Sequence, residues 1–162
     1  MKSGWRYPPA LADRLMFSEI PVNKNRDYRI SADKMRQLVI TEILELLNHT
    51  NRENEIEGDK YPQVLSSAMN FGLPARGFFK GPEEGNRTEQ DIRTAILRFE
   101  PRVIPETLIV HVSCTQQNQQ QRGTISVEIS AMIYWRPSPL NLCLKGHYDR
   151  DARKLSVDQA IY

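Results

Sequence analysis

The chain has 162 residues, 40% of them hydrophobic and 26% charged, and those proportions exclude a disordered or fibrous protein. The length suits one domain with a real core and is short for two. The 22 basic and 20 acidic residues leave a net charge of +2, too little for a general attraction to nucleic acid or anionic membranes.

Residues 1–30 read as an irregular N-terminal arm, punctuated by Pro8, Pro9 and Pro21. Within it LADRLMF places Leu11, Leu15 and Met16 on one side of a short helix. The arm has no continuous apolar stretch of the secretory type, and no segment is apolar enough to cross a bilayer. Cys114 and Cys143 fall in expected strands, where small buried thiols suit a reducing compartment. A cytoplasmic location is therefore expected.

The domain proper is expected over residues 31–150. Ser31 can cap a helix over Asp33 to Asn48, where Met35, Leu38, Val39, Ile43, Leu46 and Leu47 recur at helical spacing. Tyr61-Pro62 opens a shorter helix with Val64, Leu65, Ala68 and Met69 as its inner stripe and Gly72 as its left-handed stop. The loop ARGFFKGPEEGN follows. Thr88 is the expected cap of a third helix, with Ile92, Ala95, Ile96 and Phe99 facing inward and Pro101 ending it.

Past Pro105 the period changes to two. Thr107 to Cys114 alternates around Leu108, Val110, Val112 and Cys114. Thr124 to Trp135 alternates around Ile125, Val127, Ile129, Ala131 and Ile133. Joined by the polar QQNQQQRG, the two runs predict a long antiparallel hairpin with one wet face. RPSP makes the next turn, Leu140 to Tyr148 reads as a third strand, and 151–162 as a charged C-terminal tail. The fold class is α+β: a single domain of about three helices packed on an antiparallel sheet of three or more strands.

Catalytic sets are sparse. His49, His111 and His147 have no metal-ligand spacing to another histidine or to a cysteine, and Cys143 with His147 lacks an orienting third group. Glu100 as a glycosidase acid is opposed by Arg98 and Arg102, since neighbouring guanidinium groups favour an ionised carboxylate. No phosphate-cradling glycine loop or nucleophile elbow is present. Neither catalytic residues nor a cofactor or metal are expected, and the chain does not read as an enzyme.

The Glu100-Pro101-Arg102 run has two readings. One is an internal salt bridge closing the corner between helix and strand. The other is a preorganised charged hook, with a planar fork on Arg102 and an acceptor on Glu100 for a partner.

Three stretches occur in order: YPQVLSSAMNFGLP from Tyr61 to Pro74, the helix ending in FEPR at Arg102, and the hairpin LIVHVSC…ISVEISAMI. Together they resemble the TssE family of type VI secretion baseplate components, related to a wedge protein of contractile phage tails. LADRL and the terminal YDRDARKLSV are also similar to the ends of that family, whereas Phe71 stands where it usually has tyrosine. The resemblance implies a structural part that touches the wedge proteins TssF and TssG, with TssK as a further neighbour, and that starts the TssB–TssC sheath. It implies that Glu100, Pro101 and Arg102 hold the wedge core. It also implies that the hairpin, through Val110, Val112, Ile125, Val127 and Ile129, joins a sheath-like sheet. A phage-tail wedge subunit is the alternative. A peptidoglycan hydrolase, a label borne by some relatives, finds no support in the carboxylates.

Overall fold

A computed structural model describes residues 30–75, 85–115, 124–149 and 154–161. The expected N-terminal helix at Leu11, the Phe78-Phe79 loop and the glutamine-rich hairpin tip lie outside the described residues.

Helix α1 (Ala32–Asn48) starts where Ser31 leads: its Oγ accepts from the Lys34 N–H at 3.2 Å, satisfying one of the donors that a helix N-terminus leaves unpaired. Met35, Val39, Ile40, Ile43, Leu46 and Leu47 are buried, one stripe at a period of 3.6. The helix stops at His49, whose extended backbone leads into a two-bond clip. The Asn51 N–H donates to Leu73 O at 2.8 Å, and the Leu73 N–H to His49 O at 2.8 Å. Gly72, at φ +115°, is needed there because a Cβ would lie 2.5 Å from the His49 carbonyl oxygen.

Helix α2 (Pro62–Ser66) is a single short turn, followed by a 3₁₀ turn at Ala68–Asn70. Its expected inner stripe fails: Val64 and Leu65 are half-buried, while Ala68 is exposed and Met69 is 78% exposed. The Ser67 hydroxyl causes the break by accepting from the Met69 N–H at 3.2 Å, an alternative to the helical ladder. The buried residue of this segment is Asn70. Its amide donates to Leu65 O and accepts from the Arg52 N–H, so a polar side chain holds the loop.

Helix α3 (Gly85–Phe99) begins before Thr88, which is buried inside it and is not the cap. Ile92, Ala95 and Ile96 form its inner face as expected, and it ends two residues before Pro101.

The sheet is an antiparallel meander in the order β1-β2-β3-β4: β1 (Ile109–Thr115), β2 (Thr124–Ile133), β3 (Leu140–Asp149) and β4 (Lys154–Ile161). Val112 faces Val127, and Ile129 faces Leu144, so the apolar row of each strand lies on the helix side. Together with the inner faces of α1 and α3 these rows make one core. The other face carries His111, Glu128, Ser130, Lys145 and His147, as the alternation predicts.

The expected charged tail is partly a fourth strand. Charged residues around Asp149 mask its pattern, but Leu155 is buried and Val157 packs on the core. A bulge leaves Asp158 with no residue opposite it in the β3 register, and Gly146 fits beside it because a Cβ there would stand 2.4 Å from Ser156 O.

Asn48, at the end of α1, bonds the free edge of β4 twice. Its Oδ1 accepts from the Leu155 N–H at 2.7 Å, and its Nδ2 donates to Leu155 O at 3.2 Å. The amide thereby replaces a neighbouring strand. Asn48→Asp keeps the acceptor and removes the donor, so urea unfolding is expected to show a loss of about 1–2 kcal/mol. Amide exchange at Leu155 and its neighbours should speed up more than exchange in β1.

A charged corner and two guarded sheet edges

The Glu100 N–H makes the last helical bond of α3, to Ile96 O at 2.8 Å. Pro101 has no N–H to continue, and the chain turns: the Val103 N–H donates to Glu100 O at 3.2 Å, with proline at the second position of a β-turn. The exit is stitched to the end of β2, since the Ile104 N–H donates to Met132 O and the Tyr134 N–H to Arg102 O, each at 2.8 Å. The corner is therefore a turn, whereas an extended backbone would have put residues 100 and 102 on one side.

Glu100 and Arg102 still meet, because the turn folds the arginine back. Glu100 Oε1 accepts from the Arg102 backbone N–H at 3.1 Å and from Nε at 2.7 Å, and Oε2 accepts from Nη2 at 2.6 Å. That is a two-pronged guanidinium–carboxylate pair. The same Nη2 reaches Glu42 Oε2 on α1. Glu100 is 2% exposed, the Arg102 side chain 24% and the Glu42 side chain 47%. Of the two readings of this run, the internal clamp is what the folded chain contains, and Arg102 is the member that reaches the surface.

The electrostatics follow from two carboxylates sharing one guanidinium. Burial opposes the charge on Arg102, but its bonds to Glu100 and Glu42 outweigh that and raise its pKa above the ordinary arginine value. Burial also lifts the Glu42 carboxyl above its usual range, Arg102 pulls it back, and Glu100 pushes it up again. A carboxyl raised on folding contributes stability below its unfolded pKa, near 4.5, and that contribution fades as pH rises through its folded value.

The hairpin residues lie differently. Val112, Ile125, Val127 and Ile129 are buried in the core and Val110 is half-buried against it. Ile109, Met132 and Tyr134 are the exposed apolar residues near that end of the sheet. The outer edge of β1 is also partly guarded. Glu89 Oε1 on α3 accepts from the Val112 N–H at 2.7 Å, and Arg93 donates to Leu108 O and, at 3.2 Å, to Pro105 O. Sequence reasoning read Glu89 only as the residue that follows the expected cap, Thr88. The missed signal was the i,i+4 pair Glu89 and Arg93, a charged stripe beside the apolar one.

The three histidines are apart in their contacts. His49 packs edge-on to Phe71 at 5.5 Å, His111 lies 3.2 Å from Glu89, and His147 pairs with Asp158. The Ser130 hydroxyl, not His147, approaches Cys143, at 3.7 Å.

A family model described as baseplate wedge protein gp25 matches residues 33–138, from α1 through the corner and the hairpin to the turn after β2. The chain belongs to that family. The family's role is structural, in the baseplates of phage tails and tail-like particles, and it implies association with other baseplate proteins. Searches of curated proteins and of solved structures returned no match. Among the described residues, no helix is long and apolar enough to cross a membrane.

Because Glu100 is buried, removing its partner leaves an uncompensated charge inside. Arg102→Met is expected to lower unfolding free energy by about 3 kcal/mol, and Glu100→Gln with Arg102→Met to recover much of that loss. Glu42→Gln, at the exposed end, should cost under about 1 kcal/mol and should flatten the decline in stability between pH 4.5 and neutrality. Urea unfolding across that pH range measures all three.

Proposed function

We propose that this wedge protein is the TssE-type subunit of a type VI secretion baseplate, docking on the TssF–TssG core beside TssK and starting the TssB–TssC sheath. The observation that carries the reading is the family match running through the Glu100-Pro101-Arg102 corner, where a rigid turn brings a clamped guanidinium to the surface. The clamp gives the hook its preorganisation: Glu100 and Glu42 orient Arg102 before a partner arrives, so little side-chain entropy is left to lose on docking.

Edge chemistry favours β4 as the meeting point with a sheath strand. The β1 edge is engaged by Glu89, whereas beyond Leu155 no described side chain bonds the outer edge of β4. By alternation the Val157 N–H points outward as that of Leu155 does, which leaves a donor for an added strand.

Deleting the gene is expected to abolish sheath assembly as seen with a fluorescent sheath subunit, and normal sheaths would reject the assignment. The family's printed description equally fits a wedge subunit of a phage tail; in that case the neighbouring genes encode tail proteins. Arg102→Lys keeps the charge and loses the fork, so the variant should stay folded yet bind the wedge core about tenfold or more weakly. Val157→Pro should leave wedge binding intact and cut sheath initiation. Unchanged initiation in a folded Val157→Pro variant rules out the β4 edge.

A further inference from the structure

Beside the clamp, between α1 and the end of α3, lies a half-open cleft of about 270 Å³ lined by Glu42, Glu45, Leu46, Phe71, Phe99 and Glu100. Leu46, Phe71 and Phe99 make an apolar floor. Phe71 and Phe99 are half-buried and meet edge to face at 5.3 Å. The walls carry three carboxylates and no cation. Glu42 and Glu45 lie toward solvent, while Glu100 is the buried wall.

The charge here is unbalanced. Arg102 serves both Glu42 and Glu100, and Glu45 forms no ion pair with a described residue. The lifted Glu42 carboxyl has the same origin, since burial and a second carboxylate outweigh the one guanidinium they share. A further positive charge in the cleft would stabilise all three acids. The aromatic floor already draws one cation from the chain itself: the Arg98 guanidinium carbon lies 5.3 Å from the centre of the Phe99 ring.

Size decides what can enter. Small-molecule and cofactor sites run from roughly 300 to 1,000 Å³, so this cleft falls short of a nucleotide and suits one long side chain. Arginine combines the required properties: an alkyl stem for the floor, a planar cation that stacks on aromatic rings, and a fork that matches carboxylates.

We infer that the cleft receives a single arginine side chain of a protein partner, its stem along Leu46 and Phe71 and its guanidinium between Glu42 and Glu45. This rests on the reading of the chain as a docking wedge subunit, and it names the chemistry that the partner must present: an exposed arginine on the surface that meets the corner.

Two measurements test it. The full chain, labelled with nitrogen-15, is titrated with N-acetyl-arginine amide and, separately, with the uncharged N-acetyl-citrulline amide. Shift changes confined to the amides around Glu42, Glu45, Leu46, Phe71 and Phe99 are expected for the first probe alone. Equal changes with both probes, or changes located elsewhere, overturn the inference. Glu45→Lys places a cation of the chain's own at the cleft on an exposed position of the last helical turns, where positive charge is well tolerated. Its melting temperature should not fall below that of the parent, while affinity for the wedge core falls about tenfold or more. If Glu45→Lys binds as the parent does and Arg102→Lys does not, the cleft assignment fails and the docking reading survives. If neither variant weakens binding, the docking reading falls, and the arginine site with it.

Discussion

One ion pair governs the geometry of this molecule. Glu100 is buried at the point where the chain leaves α3, and a buried carboxylate persists only if its charge is matched. Arg102 matches it from two residues away, which it can do only because Pro101 forces a turn. The same guanidinium reaches Glu42 and so fixes α1 against that turn. Arg102 O and the Ile104 N–H then set where the corner meets the end of β2. The relative placement of α1, α3 and the sheet is thus tied to one side chain, and the candidate docking surface and the acidic cleft share that anchor.

A second constraint concerns edges. A four-stranded open sheet has two, and each presents backbone groups able to pair with another chain. Here both are guarded by helical side chains. Glu89 of α3 takes the Val112 N–H of β1, and Asn48 of α1 takes both backbone groups of Leu155 on β4. Charge and amide are used differently. A carboxylate can only accept, so it blocks one donor, whereas an amide satisfies donor and acceptor at once. Among the described residues, Leu155 is the one position of the β4 edge that a side chain bonds on both its backbone groups. In a family of assembling baseplate proteins, each guarded position lowers the chance of unwanted strand pairing.

Much of this fold was legible in the sequence. The stripe from Met35 to Leu47 gave α1 to within a residue at its start, Pro101 gave the end of α3, and the alternation of 109–133 gave the hairpin and its buried row. The elements that escaped are those decided by long-range contacts. Thr88 has the chemistry of a cap, but Gly85 already lies in the helix and Thr88 is buried. Met69 sits at helical spacing from Leu65, yet the Ser67 hydroxyl breaks the helix between them. Lys154–Ile161 became a strand because β3 offers an edge and Asn48 closes the other side, which no local pattern announces. At the corner, the sequence supplied the pair but not its direction. Burial, a property of the whole fold, turned Glu100 inward and left Arg102 at the surface. The cleft was illegible for the same reason, since Glu45, Phe71 and Phe99 are distant in sequence.

The bond between Asn48 and Leu155 spans 107 positions, and that separation bears on synthesis. On a ribosome α1 emerges early and its stripe can collapse onto whatever apolar strand follows, but its terminal amide has no strand to hold until residue 155 is out. Until then β3 is the open edge, ten residues long and apolar on one face. A chain stalled before that point is a sticky, incomplete sheet, and a chain past it is sealed along Leu155. Completion of β4 is thereby a condition for an orderly sheet: until it pairs with β3, the wrong edge is exposed.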